Sequence, residues 1–364
     1  MKKKTMLKTI FTLLTCSLVM ASCNSGNTAE TSSNTSSAVS VENSESELSS
    51  EQPESSAEAN NQKEEQGFVL TYPEHMQSMG FTEPLELEEE PETIGCLSTY
   101  PVQTLMGMGV ELAAVPTTKV IEYPADYSGT ILPAIMNDNF DLEQVIAMEP
   151  DLVILPNSAQ EKYGATLESL EIPVYYIAMT SSGFSAYDVI RQQTVAFTEA
   201  FGTDTDKQTK GEEILSRFDT LDAELAAFSE KTEGMSVFAI TVSGDQIYTT
   251  SSTSTLGCML ELCGLENVFQ PDASNGGHSL GTLDMETSIS YDPDIMVICG
   301  SSTKEDNIAM MQALYEKNPS YWDAIDAYKE GRIIYLPSSY VSTAGINIID
   351  NIRNLMGDLE TLLS

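Results

Sequence analysis

Along the chain, short and almost unbroken apolar runs alternate with stretches in which apolar residues return every three or four positions. The runs cover residues 93–97, 112–115, 151–155, 174–177, 237–242, 295–299 and 333–336. Several lack the polar alternation of a half-exposed strand, so they predict strands covered on both faces. Between the fourth and fifth runs lies a helical segment at about residues 185–231. Its second half places Ile214, Phe218, Leu221, Leu225 and Phe228 at offsets of four, three, four and three, one apolar face of a long helix. Two groups of strands joined by such a helix predict an α/β protein of two lobes whose hinge motion is limited.

The first 66 residues do not share this pattern. Lys2, Lys3, Lys4 and Lys8 precede an apolar run over residues 10–20, which is too short for a permanent membrane span and reads as an export signal. Met20-Ala21-Ser22-Cys23 sets two small residues before a cysteine, as in the lipobox of bacterial lipoproteins. Residues 1–22 are therefore expected to be a signal peptide, and Cys23 the lipid-bearing mature N-terminus. Residues 23–66 hold Ser, Asn, Thr and Glu with Lys63 as the one base. Too little apolar surface is present to offset chain entropy, and like charges favour extension, so this stretch is expected to be a disordered tether. The remainder divides into an α/β lobe over 67–184, the helical segment over 185–231 and a second α/β lobe over 232–364.

An internal echo links the two lobes. LEQVIAMEPDLVIL begins at Leu142 and METSISYDPDIMVI at Met285; in each, a Glu (Glu143, Glu286) stands seven positions before a Pro-Asp pair and an apolar strand follows. A first-turn Glu suits the positive end of a short helix, and the proline is expected to stop that helix before the strand.

With these segments in order, the chain resembles the iron-chelate and cobalamin binding proteins of ABC importers. The likeness runs through EEEPETIGCLSTYPVQTLMGMGVE, DLEQVIAMEPDLVIL, LESLEIPVYYI, LGCMLELCGLENVF, SYDPDIMVI and NPSYWDAIDAYKEGRIIYLP. It implies two Rossmann-like lobes on a rigid interlobe helix, the class III periplasmic-binding-protein architecture. It also implies docking of Glu143 and Glu286 against arginines of a permease dimer served by ATPase subunits. Ligand is expected between the lobes, over loops at the carboxyl ends of the strands. Those loops would carry Ser98, Thr99, Tyr100, Gln103, Tyr123, Tyr127, Met179 and Thr180 in the first lobe. In the second they would carry Ser243, Gln246, Tyr248, His278 and Tyr340.

Charge narrows the ligand. A formal net charge of −38 with 17 Lys plus Arg opposes binding to nucleic acid and to anionic lipid surfaces. Lys119, Lys162 and Arg191 are the only bases between Gly67 and Phe201, so a neutral or cationic complex such as a ferric hydroxamate fits better than a tris-catecholate. Haem is the rival, with Tyr100, Tyr123, His278 and Met106 or Met108 as axial candidates. Cobalamin stays open, although Trp322 reads as a packing residue. With 2 histidines, His75 and His278, no His-rich site for a bare metal can be assembled, and no cofactor is expected. Cys96, Cys258, Cys263 and Cys299 sit in apolar stretches and read as buried free thiols.

An enzymatic reading rests on Gly277-His278-Ser279-Leu280-Gly281, which matches the G-x-S-x-G elbow of serine esterases. The polar loop before it is not the strand an elbow requires, and no histidine follows Ser279 to act as base. The sequence thus predicts no enzyme, but an extracytoplasmic lipoprotein that hands a metal chelate, most readily a ferric siderophore, to an ABC importer.

Overall fold

The computed structural model describes residues 67–179, 183–243, 246–270, 280–300, 303–342 and 345–364, with backbone alone over 280–282. Cys23, the tether, Thr180, His278 and Ser279 lie outside the described residues. The chain opens with β1 (Phe68–Leu70), α1 (Glu74–Gln77) and β2 (Leu85–Leu87), a small antiparallel ribbon. There follow β3 (Ile94–Cys96), α2 (Thr99–Gly107), β4 (Ala114–Pro116), β5 (Thr130–Leu132), α3 (Leu142–Ile146), β6 (Leu152–Pro156), α4 (Ala165–Ser169) and β7 (Val174–Ile177). The strands β3 to β7 form a parallel sheet in the order β5-β4-β3-β6-β7. This is doubly-wound order, and its direction reverses between β3 and β6, where such sheets open a crevice at their carboxyl edge.

The helical segment resolves into two helices, α5 (Ala186–Ala200) and α6 (Thr205–Thr232), where one long connector was expected from its apolar face. Ser185 and Asp188 form a capping box that starts α5, and Asp204 accepts from the N–H groups of Asp206 and Lys207 to start α6. Two strong start signals so close in sequence leave the intervening residues as a turn. The pair folds back antiparallel: Tyr187 donates to Asp222 Oδ1 at 2.7 Å, while Gly211 meets Thr198 so closely that a Cβ there would stand 2.4 Å from its hydroxyl. Along the 28 residues of α6 the buried positions are Gly211, Ile214, Phe218, Leu221, Leu225, Phe228 and Thr232, the expected stripe extended at both ends.

The second half contains β8 (Ser236–Ser243), β9 (Gln246–Thr250), α7 (Thr255–Leu262), β10 (Glu266–Asn267), β11 (Leu280–Thr282), α8 (Met285–Ile289) and β12 (Ile295–Cys299). It ends with α9 (Lys304–Lys317), α10 (Pro319–Trp322), α11 (Asp326–Lys329), β13 (Ile333–Leu336) and α12 (Asn347–Leu363). Its sheet runs β11-β9-β8-β12-β13, with β10 also beside β8. Here β8, β12 and β13 are parallel, whereas β9 returns antiparallel to β8 with Ser243 opposite Gln246. Such a tight connection leaves no room for the crossover that a parallel neighbour needs. The buried strands are two-faced: Val237 and Ala239 join one core while Phe238 and Ile240 join another, and β12 divides its residues in the same way. Trp322 is packed in that second core with 1% exposure, as its sequence context suggested. The four cysteines named above are free and buried, and burial pushes the thiols of Cys96, Cys263 and Cys299 up to about 12.

The echo seen in the sequence recurs in the hydrogen bonds. Ile94 faces Leu152 and Val237 faces Ile295 in parallel pairs. At the mouth of the first pair Asp151 Oδ2 accepts from Thr93 N–H at 2.8 Å and Glu92 N–H at 3.1 Å. At the second, Asp294 Oδ2 accepts from Ser236 N–H at 2.7 Å. Asp141 and Asp284 cap α3 and α8 by accepting from Glu143 N–H and Glu286 N–H. The prolines do not end these helices, which stop at Ile146 and Ile289. A residue in the left-handed region does the turning instead, Glu149 at φ 49° and Asp292 at φ 43°.

The two sheets are not independent bodies, for Gln62–Ser364 forms one compact unit. Arg217–Asp350 at 3.1 Å and Arg353–Glu224 at 2.7 Å tie α6 to α12, and Ile214 packs at Gly107 of α2. The long helix therefore touches elements from both halves.

Candidate ligand-binding cleft

Strands of the first sheet all point their carboxyl ends at one cavity of about 430 Å³, within the usual range for small-molecule sites. From β3 the chain turns directly into α2, bringing Ser98, Thr99 and Tyr100 to its wall. The end of β6 adds Pro156, Asn157 and Ser158, and that of β7 adds Ala178 and Met179. Pro116 of β4 and the Ala134–Met136 stretch beyond β5 complete the apolar side, where Met136 is 75% exposed. Thr255, the first residue of α7, reaches the same cavity from the second half.

No carboxylate, ammonium, guanidinium or imidazole group lies among these lining residues. Burial raises the Tyr100 phenol above its usual value, so it too stays neutral. The nearby bases are engaged elsewhere or exposed: Arg191 pairs with Asp219 and Asp222, Lys162 sits over the Tyr163 ring at 4.7 Å, and Lys119 is exposed. A larger hollow of about 550 Å³ lies at the amino ends of β3 and β6, walled by Glu88, Glu89, Glu90, Glu92, Asp151 and Glu171. That is the wrong end of the strands for a ligand, and its clustered carboxylates would repel the anionic oxygens of a chelate.

A family model described as periplasmic binding protein matches residues 94–340. The chain belongs to that family. A cobalamin-binding protein of Halobacterium salinarum is 23% identical over 267 residues, covering 73% of this chain and 69% of the relative. The ferric-anguibactin-binding protein FatB of Vibrio anguillarum is 23% identical over 279 residues, 73% of this chain and 83% of the relative. Among solved structures, the petrobactin-binding protein YclQ of Bacillus subtilis superposes with a TM-score of 0.61 at 17% identity, covering 82% of this chain and 99% of the other.

In this periplasmic binding protein, Ser98, Thr99, Tyr100 and Met179 are the sequence-expected residues that line the cavity. Gln103 lies one turn further along α2, and its Oε1 is buried without a hydrogen-bond partner among the described residues. Tyr123 and Tyr127 stack with ring centroids 5.7 Å apart, and their hydroxyls donate to the carbonyls of Pro116 and Leu112. Those hydroxyls brace the loop against the sheet edge. Ser243 is exposed at the β8–β9 turn, with Gln246 across from it, and Tyr248 is half-buried within β9. Tyr340 is 5% exposed and belongs to the core, where burial pushes its phenol up to about 12. Of the axial candidates for haem, Tyr100 lines the cavity, Met106 is half-buried beside the core and Met108 is fully buried.

Sequence reasoning missed Pro116, Ile135, Met136, Asn157, Ser158 and Thr255. Asn157 and Ser158 directly follow an apolar strand that was visible, so the carboxyl-end rule could have found them; the short β5 that aims Ile135 and Met136 left no comparable trace. Glu143 and Glu286 are exposed in the first turns of α3 and α8, away from the cavity lining.

Behind the Ala178–Met179 wall lies His75, with no exposure, its Nδ1 3.0 Å from Gln192 Oε1. The neighbouring Gln193 donates to the Ala178 carbonyl at 3.1 Å. Desolvation outweighs the imidazole's own hydrogen bonds to Gln192 and to the Ala178 backbone and lowers its pKa from 6.5. Above the unfolded value this neutral histidine costs nothing. Below it, the unfolded chain takes up a proton that the folded core resists, so stability falls as pH drops from 6.5 toward the depressed folded value. The unfolding temperature should therefore fall less between pH 7.5 and 5.5 in His75→Gln than in the parent; equal slopes would exclude His75 as a source of acid lability.

Proposed function

We propose that this protein captures a metal chelate of low net charge, best a ferric hydroxamate siderophore, and delivers it to an ABC importer. The observation that carries this reading is the cavity at the carboxyl edge of the first sheet, walled by hydroxyl, amide and apolar groups with no ionised side chain among the described residues. Such a wall suits a bulky complex whose metal is already saturated by its own chelator. It offers methyl and ring surface to the ligand skeleton and hydroxyls to its oxygens. A tris-catecholate would bring several negative charges into a site where no described residue offers a cation to meet them. Relatives named as binding cobalamin and ferric anguibactin support the class of ligand. Haem is the weaker reading, since Tyr100 would have to ionise in a setting that raises its pKa.

The expected behaviour is saturable binding of ferric hydroxamates, followed by calorimetry on the full-length chain in detergent, with ferric catecholates binding at least about tenfold more weakly. Equal or preferential binding of catecholates would overturn the choice of ligand.

Glu143 and Glu286 are proposed to dock on cationic residues of two permease subunits. Their support is the duplicated unit, in which each Glu stands two residues after its capping aspartate. Complementary charge of this kind governs encounter and orientation with a partner. The Glu143→Arg, Glu286→Arg double variant should bind chelate as the parent does yet abolish uptake of the radiolabelled complex by cells. Uptake at parental rate would remove the docking role.

Delivery is proposed to occur at the outer face of the cell membrane, with Cys23 as the lipidated residue. No helix among the described residues is long and apolar enough to cross a membrane. Cys23→Ala should move the protein from the membrane fraction to the soluble one on cell fractionation, and persistence with the membranes would refute lipidation at this position.

A further inference from the structure

One polar group of the cleft stands at a helix start without the bond that its position normally makes. Ser98 is the N-cap of α2, yet its side chain makes no cap hydrogen bond. Elsewhere Ser185, Ser254 and Thr303, in the same position, accept from the N–H three residues on. For Ser98 that third residue is Pro101, which has no N–H to give. Its hydroxyl makes no hydrogen bond among the described residues, although the residue is only 5% exposed and lines the cavity. Beside it, the N–H groups of Thr99 and Tyr100 stand in the first turn of a nine-residue helix, where no intrahelical acceptor exists. Opposite, Thr255 brings the first turn of α7 to the same space.

We infer that the open amino end of α2, together with the Ser98 hydroxyl, receives an oxyanion carried at the edge of the chelate, a carboxylate in the simplest case. Unbonded donors and the positive end of a helix stabilise such a group without a lysine or arginine. No carboxylate stands among the described lining residues to repel it. One such charge is compatible with a complex of low total charge, because the rest of the described wall is neutral. The inference rests on the cleft being the chelate site proposed above, and it adds which chemical group fixes the ligand there.

The test uses the full-length chain in detergent and four probes. These are a ferric trihydroxamate with one free carboxyl group, its methyl ester, haemin and haemin dimethyl ester. The free acid of at least one pair should bind about tenfold more tightly than its ester, the usual range for a hydrogen-bonded charge. Ser98→Ala should remove most of that preference by weakening the acid and leaving the ester within about twofold. Pro101→Ala, which restores an N–H for Ser98 to cap, should shift the acid in the same direction. Thermal melting of both variants verifies that they fold. If acid and ester bind alike, or Ser98→Ala weakens both equally, the oxyanion site is overturned while the chelate reading stands. If no probe binds, both fall together.

Discussion

Parallel strand neighbours have no hairpin between them to set their register, and in this protein an aspartate sets it. Asp151 and Asp294 each open a central strand and each take the backbone N–H at the entrance of the neighbouring strand. The bond is local in space but spans 58 residues in both halves, so it closes a long loop at one defined point. Once β3 is aligned with β6, and β8 with β12, the carboxyl ends of each pair lie level. The loops that leave them then converge on common ground. Hydrogen bonds to Ser236 hold the Asp294 carboxyl below the usual carboxylate range, which keeps that bond intact through mildly acidic conditions.

Around this frame, α5 and α6 serve as a double strut rather than a single rod. The near contact of Gly211 with Thr198 draws the two helices together, and the ion pairs to α12 add orientation more than energy, being largely solvent-exposed. Because α6 touches α2 on one side and α12 on the other, displacing one half against the other would strain packed contacts along its length. A cleft supported in this way would need little assembly by a ligand, and little binding energy would be spent on forming it.

Much of this architecture was legible in the amino-acid order. Continuous apolar runs such as VYYI and IMVIC mark buried parallel strands because both faces must avoid water, and these runs coincide with β7 and β12. The repeat of Glu and Pro-Asp was visible because each part answers a local need: a cap, a turn and a strand entrance. Strands such as TIL of β5 and QIYTT of β9 escaped notice, being short or half polar. Their stability comes from neighbours distant in sequence. For the same reason the break in the connector at Gly202 went unseen, since the apolar stripe of α6 reads equally well in one helix or two. In the cleft, Ser98, Thr99 and Met179 were readable from the ends of visible strands. The burial of Tyr340 in the core was not, because a tyrosine in a loop can turn its ring either way and only packing decides.

The β8–β9 hairpin replaces, in the second half, the crossover that builds β4 in the first. Two identical halves facing each other would give a chamber with a twofold axis, and a guest could sit in it equally well turned end for end. The walls of the cavity are chemically unlike: strand ends and the open start of α2 come from the first half, and the capped start of α7 at Thr255 from the second. A guest held between unlike walls has a head and a tail, and it would leave the chamber always facing the same way.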